Sequence, residues 1–150
     1  MSISLDELRR LLSSDEPDYR AIASAAGPEA AEHLRVLARD DNVMLASKAV
    51  YAASLLPDGT AHQVVDDAAV SDEPLLRIAS ASALTNLPED ARNRVAERLI
   101  DVGDVAVEKL VIRALGPSLT PGLERSLSRL AESSDSETIR DLSRSRLSDR

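Results

Sequence analysis

Four arginines carry the strongest hint of chemistry in this chain. Arg94 and Arg98 stand at i and i+4, and Arg125 and Arg129 repeat the pair 31 residues later. On a helix such a pair shares one face. Two helices packed ~8–10 Å apart gather all four guanidiniums into one patch. A guanidinium is a planar fork that matches carboxylate and phosphate oxygens. Arg94, Arg98, Arg125 and Arg129 are therefore the candidate partner-binding residues, suited to an anion or an acidic protein segment. The competing reading is a solvated face with local ion pairs, since Asp90, Asp101 and Glu132 lie within helical reach of these arginines.

Other reactive groups do not converge. His33 shares a repeat position with Val64, and His62 shares one with Asn93, so the two histidines are not equivalent. Metal sites need three or four ligands in one place, and no metal is expected. Asp40-Asp41 and Asp66-Asp67 are adjacent carboxylates. Neighbours on a helix point about 100° apart and do not form an acid–base dyad. The Asp40-Asp41 pair is read instead as the cap of the following helix. There is no Gly-rich phosphate loop and no Ser/His/Asp set. Catalytic residues and cofactors are expected to be absent.

Composition narrows what must position these side chains. The 150 residues contain no Phe, Trp or Cys, and Ala, Leu and Val supply the apolar groups. Small aliphatic side chains favour closely approaching helices, and no alternating β-branched run suggests a strand. The net charge is −8, and all of the imbalance lies in residues 1–75, which hold 14 acidic and 6 basic side chains. That sign disfavours nucleic acid and anionic membrane as partners. The N-terminus lacks a basic, apolar leader, and no window reaches the ~18 apolar residues of a membrane span. A cytoplasmic protein is expected.

Three segments supply the frame: Leu45–Ala53, Leu76–Leu84 and Val107–Leu115, each 31 residues after the last. A fixed period of this size marks a stacked repeat array. Each unit divides into helix A and helix B. Helix A presents Leu45, Ala49, Ala52 and Ala53, then Leu76, Ser80, Ala83 and Leu84, then Val107, Val111, Ala114 and Leu115. Helix B keeps three columns apolar: Leu34/Val65/Ala96/Leu127, Leu37/Ala68/Leu99/Leu130 and Ala38/Ala69/Ile100/Ala131. Pro57, Pro88 and Gly116-Pro117 stop the A helices; a shortened first repeat begins near residue 15, and Gly27-Pro28 closes its A helix. Asp72-Glu-Pro74, Gly103-Asp104 and Thr120-Pro121 mark helix starts.

Both ends depart from the pattern, as capping units must. Ser4-Leu-Asp-Glu7 is a capping box with Ile3 and Leu8 as its staple. It opens a cap helix over about 4–13 whose stripe is Leu5, Leu8 and Leu12. The repeats run over about 15–133. A last helix over about 136–148 carries Arg144 and Arg146 where Ile112 and Ala114 stand one unit earlier. Arginine at positions that a further repeat would bury ends the array. With neither end offering a large apolar patch, the chain is expected to be a monomer.

The run Leu76-Arg77-x-x-Ser80-Ala81-x-Ala83-Leu84-x-x-Leu87, after Asp72-x-Pro74, resembles the HEAT-repeat consensus helix. It is most similar to the short, phycobilin-lyase type of HEAT-like repeat. The resemblance covers residues 15–147. It implies an all-α fold, a right-handed α-α superhelix of about four to five helix pairs with capped ends, in one domain spanning 1–150. It also implies that the B helices, and the arginine patch with them, line a concave surface. The HEAT-like hydroxylases that hold iron do so through repeated His-Glu dipeptides, and this chain has none. The expected function is a non-catalytic interaction or scaffold module that presents its B face to a protein or an acidic peptide. That ligand would dock near the C-terminal repeats, away from Asp66 and Asp67. An accessory role in a cofactor-handling, lyase-like system is the alternative, followed by a nucleic-acid-binding HEAT-like protein.

Overall fold

Capping side chains set where the helices begin. In the computed structural model, which describes residues 3–27, 29–57, 59 and 61–149, Ser4, Asp18, Asn42, Thr120 and Ser136 each accept a backbone N–H of the first turn that follows. Asp104 accepts two, from Ala106 at 2.9 Å and Val107 at 3.4 Å. These groups would otherwise lack a partner.

Among the described residues the chain is all-helical, without a strand. The helices are α1 (Leu5–Leu12), α2 (Tyr19–Ala25), α3 (Ala30–Leu37), α4 (Val43–Ser54), α5 (His62–Ala69), α6 (Pro74–Ala83), α7 (Glu89–Leu99), α8 (Val105–Ala114), α9 (Pro121–Ser133) and α10 (Glu137–Ser148). A single 3-10 turn, Leu84–Asn86, extends α6.

The A helices α2, α4, α6, α8 and α10 pack in succession, each against the next. The B helices α5, α7 and α9 do the same in a second layer, and the cap helix α1 rests on α3 and α4. Core residues lie where the layers meet. Leu34, Leu37, Val65, Leu99, Leu123 and Leu127 on the B helices join Ala49, Ala53, Ala83, Leu84, Val107 and Val111 in one buried cluster. Alanine and serine dominate the A faces of α4 and α6, which is what lets these helices approach closely.

Several local expectations need correction. The shortened first repeat, expected to begin near residue 15, has its A helix only from Tyr19, capped by the Asp18 carboxylate, which accepts the Ala21 N–H at 3.1 Å. Of its expected Gly27-Pro28 stop, Pro28 lies outside the described residues. Asp40-Asp41 is not the cap of α4; Asn42 is, with Asp40 accepting the Asn42 N–H at 2.9 Å and pairing with Arg9 of α1 at 2.5 Å. Before α6, Glu73 makes no side-chain cap bond, and the Ser71 hydroxyl accepts the Glu73 N–H instead. Leu84 and Leu115 fall just past their α-helices, in the 3-10 turn and at the C-cap, yet both are buried.

Arg144 and Arg146 of α10 are placed differently. Ile139 of α10 is buried where Val107 stands in α8, but Arg144 is exposed. Arg146 turns back and donates to the Gly116 carbonyl, just beyond the end of α8.

Leu84 is fully enclosed, whereas Leu5 on the cap helix is only half-buried. Leu84→Ala should cost ~2–5 kcal/mol in urea unfolding, the range for an enclosed leucine, and Leu5→Ala clearly less. Equal losses would contradict the division into interior and cap.

Candidate functional site

The four arginines stand on neighbouring helices, Arg94 and Arg98 on α7 and Arg125 and Arg129 on α9, which pack against each other. Three of them are engaged. Arg94 Nε lies 3.2 Å from one Asp66 carboxylate oxygen, and Arg98 Nε lies 3.3 Å from the other. Asp66, on α5, is only 8% exposed, while each arginine is about half exposed. Arg129 meets Asp101 at 2.6 Å, and the Ser126 hydroxyl donates to the same carboxylate at 2.7 Å.

Asp66 therefore does not stand apart as a repulsive group facing the groove. It is the anchor of a clamp that ties α5 to α7. Buried carboxylates require counter-charges, because desolvation penalises an isolated charge heavily. Its neighbour Asp67 points elsewhere, exposed, and accepts from the Gln63 amide at 2.8 Å. Asp101 likewise pairs across helices, to α9, and not with the arginines of its own unit.

The rule behind these contacts is diagonal. A carboxylate meets the arginine 28 residues on: Asp66 with Arg94, and Asp101 with Arg129. The same step links Glu97 to Arg125, but Glu97 accepts a bond from the Thr120 hydroxyl at the start of α9. A Cβ at Gly122 would sit 2.5 Å from the Glu97 carboxylate oxygen, so the glycine leaves space for this arrangement. Arg125 forms no ion pair among the described residues. It borders an open cleft of about 480 Å³ with Glu97, Gly122, Ser126 and Arg129.

The pairing of Asp66 with Arg94 and Arg98 is invisible when positions are aligned at whole periods. At +31 Asp66 faces Glu97, which gives no signal. Its partners lie at +28 and +32, since a side chain reaches between two positions on the next helix rather than onto the equivalent one.

His33 is partly buried, with Nε2 3.9 Å from the Glu29 carboxylate one turn away. His62 packs against Gly59, whose φ is +75°. Among the described residues no group of three His, Asp or Glu could hold a metal ion. Among the described residues no helix is long and apolar enough to cross a membrane.

One buried carboxylate stands outside the patch. The second turns of α4, α6, α8 and α10 carry Ala46, Arg77, Glu108 and Arg140 at equivalent places. Arg77 and Arg140 reach back to the carbonyls of Ser71 and Ser134, at 2.7 and 2.6 Å. Glu108 has the opposite sign and bonds to the Gly103 backbone N–H instead. Burial raises the Glu108 carboxyl above its ordinary 4.5, the Gly103 bond opposes this, and the charges of Asp101 and Asp104 add to the rise. Asp40 moves the other way: hydrogen bonds from Arg9 and from the Asn42 backbone hold it below 3.8.

Two tests follow. Arg94→Ala and Arg98→Ala should each cost ~0.5–1 kcal/mol, because either arginine still serves Asp66. The double change should cost ~3 kcal/mol, more than the sum, because it strands a buried charge. Additive losses in denaturant unfolding would contradict the clamp. For Glu108, a raised native value means that the native state binds the proton more tightly than the unfolded chain. Its contribution to stability is full below about pH 4.5 and is lost as pH rises through the native value. Glu108→Gln should therefore raise Tm near pH 7 and make little difference near pH 4; an unchanged Tm at both would contradict this. In comparisons with known proteins, no family model matches the chain and no curated protein matches it.

Proposed function

We propose that the chain is a non-catalytic interaction module: a short, right-handed HEAT-like α-solenoid with capped ends that offers its B-helix face to a protein partner. One observation carries the reading. The A helices follow one another at the repeat period while the B-layer charges bind each other across helices, rather than converging on a reacting centre. Surfaces of this kind hold other molecules, and repeat architecture extends them. The cofactor-handling and nucleic-acid alternatives rest on the resemblance alone, and no contact in the structure favours either.

The pairing of Arg94, Arg98 and Arg129 changes what the arginine patch can offer. An acidic segment must compete with Asp66 and Asp101 for those three, and meets an unpaired guanidinium only at Arg125. Changing all four arginines at once would also strand Asp66, so a single reversal is the cleaner probe. Isothermal titration with an acidic peptide at low salt should show weak binding that Arg125→Glu abolishes. The binding should fade above ~0.15 M salt, where the Debye length is about 8 Å. A short DNA duplex should bind poorly, since the surrounding charge is acidic. Duplex binding that survives moderate salt would contradict the protein-partner reading and favour the nucleic-acid one.

A further inference from the structure

Exposed apolar side chains in this molecule are not scattered. Among the described residues, the large ones are Val36, Met44, Val70, Leu75, Val102 and Val105. All but Val36 lie in the turns that lead from a B helix into the next A helix, or in the first turn of that A helix. Their exposures run from 38% for Val102 to 58% for Val70. Helices that pack together across a short turn run antiparallel, so two reversals per repeat return every A helix to the same direction. The starts of α4, α6 and α8 therefore share one edge of the array, and the five apolar residues mark it.

The same edge is acidic. Asp41, Asp72 and Glu73 are exposed beside the apolar residues, and Glu132, Asp135 and Glu137 continue the run at the start of α10. None of the six is in an ion pair among the described residues. The nearby cations are largely committed elsewhere: Arg9 to Asp40, Arg129 to Asp101, and Arg77 and Arg140 to backbone carbonyls. Arg39 is the exception, exposed at the first turn. Helix N-termini favour negative charge and account for part of the acidity. They do not account for valine, leucine and methionine held in water at three successive turns.

We infer that this edge is a docking surface for a basic, amphipathic helical segment of a protein partner. The inference rests on the reading of the chain as an interaction module and adds to it a second surface, apart from the B-helix face and opposite in charge to the arginine patch. Apolar residues of the segment cover Met44, Val70, Leu75, Val102 and Val105, while its lysines or arginines meet Asp41, Asp72 and Glu73. Three turns stacked ~10 Å apart span ~20 Å, the length of about 13 helical residues at 1.5 Å each. The charge that attracts such a segment repels nucleic acid and anionic lipid.

The probe is an amphipathic Leu/Lys peptide of about 18 residues, long enough to cover the three turns as a helix. A scrambled isomer without an apolar face and a Leu/Glu counterpart serve as controls. Backbone amide NMR shifts should move at 41–44, 70–75 and 101–105 when the Leu/Lys peptide is added. The double change Leu75→Ser and Val105→Ser keeps the net charge and alters only exposed side chains. It should weaken binding about tenfold with helicity unchanged by circular dichroism. Asp72→Asn with Glu73→Gln should weaken binding severalfold and flatten its salt dependence. Both control peptides should bind at least about tenfold more weakly than the Leu/Lys peptide. Shifts confined to the surroundings of Arg125, equal binding of the scrambled isomer, indifference to the serine changes, or no binding would each overturn the inference. The two readings fail separately. Salt-resistant DNA binding counts against the module whatever this peptide does, and shifts away from the edge count only against the edge.

Discussion

A single helix pair in this chain cannot bury its own apolar face, and the rest of the structure follows from that constraint. Without Phe or Trp, the core is assembled from Ala, Leu and Val. Such side chains exclude water only when helix axes come close, and each A helix needs neighbours on both sides to be covered. Alanine and serine at positions 49, 52, 53, 80 and 83 provide the close approach, and leucine and valine from the B layer fill the seam. Burial is therefore shared between neighbouring helices, each A helix packing on the next. Outside this seam, α1 packs on α3 and α4, and Arg146 of α10 donates to the Gly116 carbonyl.

Polar groups obey the same neighbour logic. Asp66 is taken out of water where α5 meets α7, and two arginines of the next unit supply the compensating charge. Asp101 repeats the connection to α9 in a more exposed setting. Such bridges set the register between successive B helices, because a slip of one residue would separate the carboxylate from its arginines. The arginine patch is thus in large part tied up in ion pairs, as its alternative reading held, though with partners on neighbouring helices, and Arg125 is left over because Glu97 is held by Thr120. Large exposed apolar side chains, Val36 apart, lie instead on the edge where A helices begin.

Much of this was legible in the sequence. The helical class and most of the buried columns come from residues whose spacing is local, although Ala38, Leu76 and Leu130 of those columns are only partly buried. Leu84, Val107 and Leu127 declare themselves by type and position alone. Contacts between units were harder to read. The Asp66 clamp depends on side chains reaching diagonally across helices, a geometry that aligned columns conceal. The reading of Asp40-Asp41 as the cap fails for a related reason: Asn42 is an equally competent cap, and only the path of the turn selects it. The apolar edge was hidden because Met44, Val70 and Val102 look like ordinary core residues until the turns around them are seen to face outward.

Excision of one whole unit tests the central claim, that this is an array of interchangeable neighbours, most directly. Removing residues 73–103, which is 31 residues, joins Asp72 to Asp104 and brings α8 to where α6 stood. Asp66 would then face Arg125 and Arg129, the equivalents of Arg94 and Arg98 one period later. Helicity and thermal unfolding of the shortened chain are the quantities to measure. The account predicts a helical protein that melts cooperatively at a lower temperature than the full chain, since one set of neighbour contacts is gone. Loss of helicity, or melting without a cooperative transition, would contradict it and point to a core that all the helices build jointly.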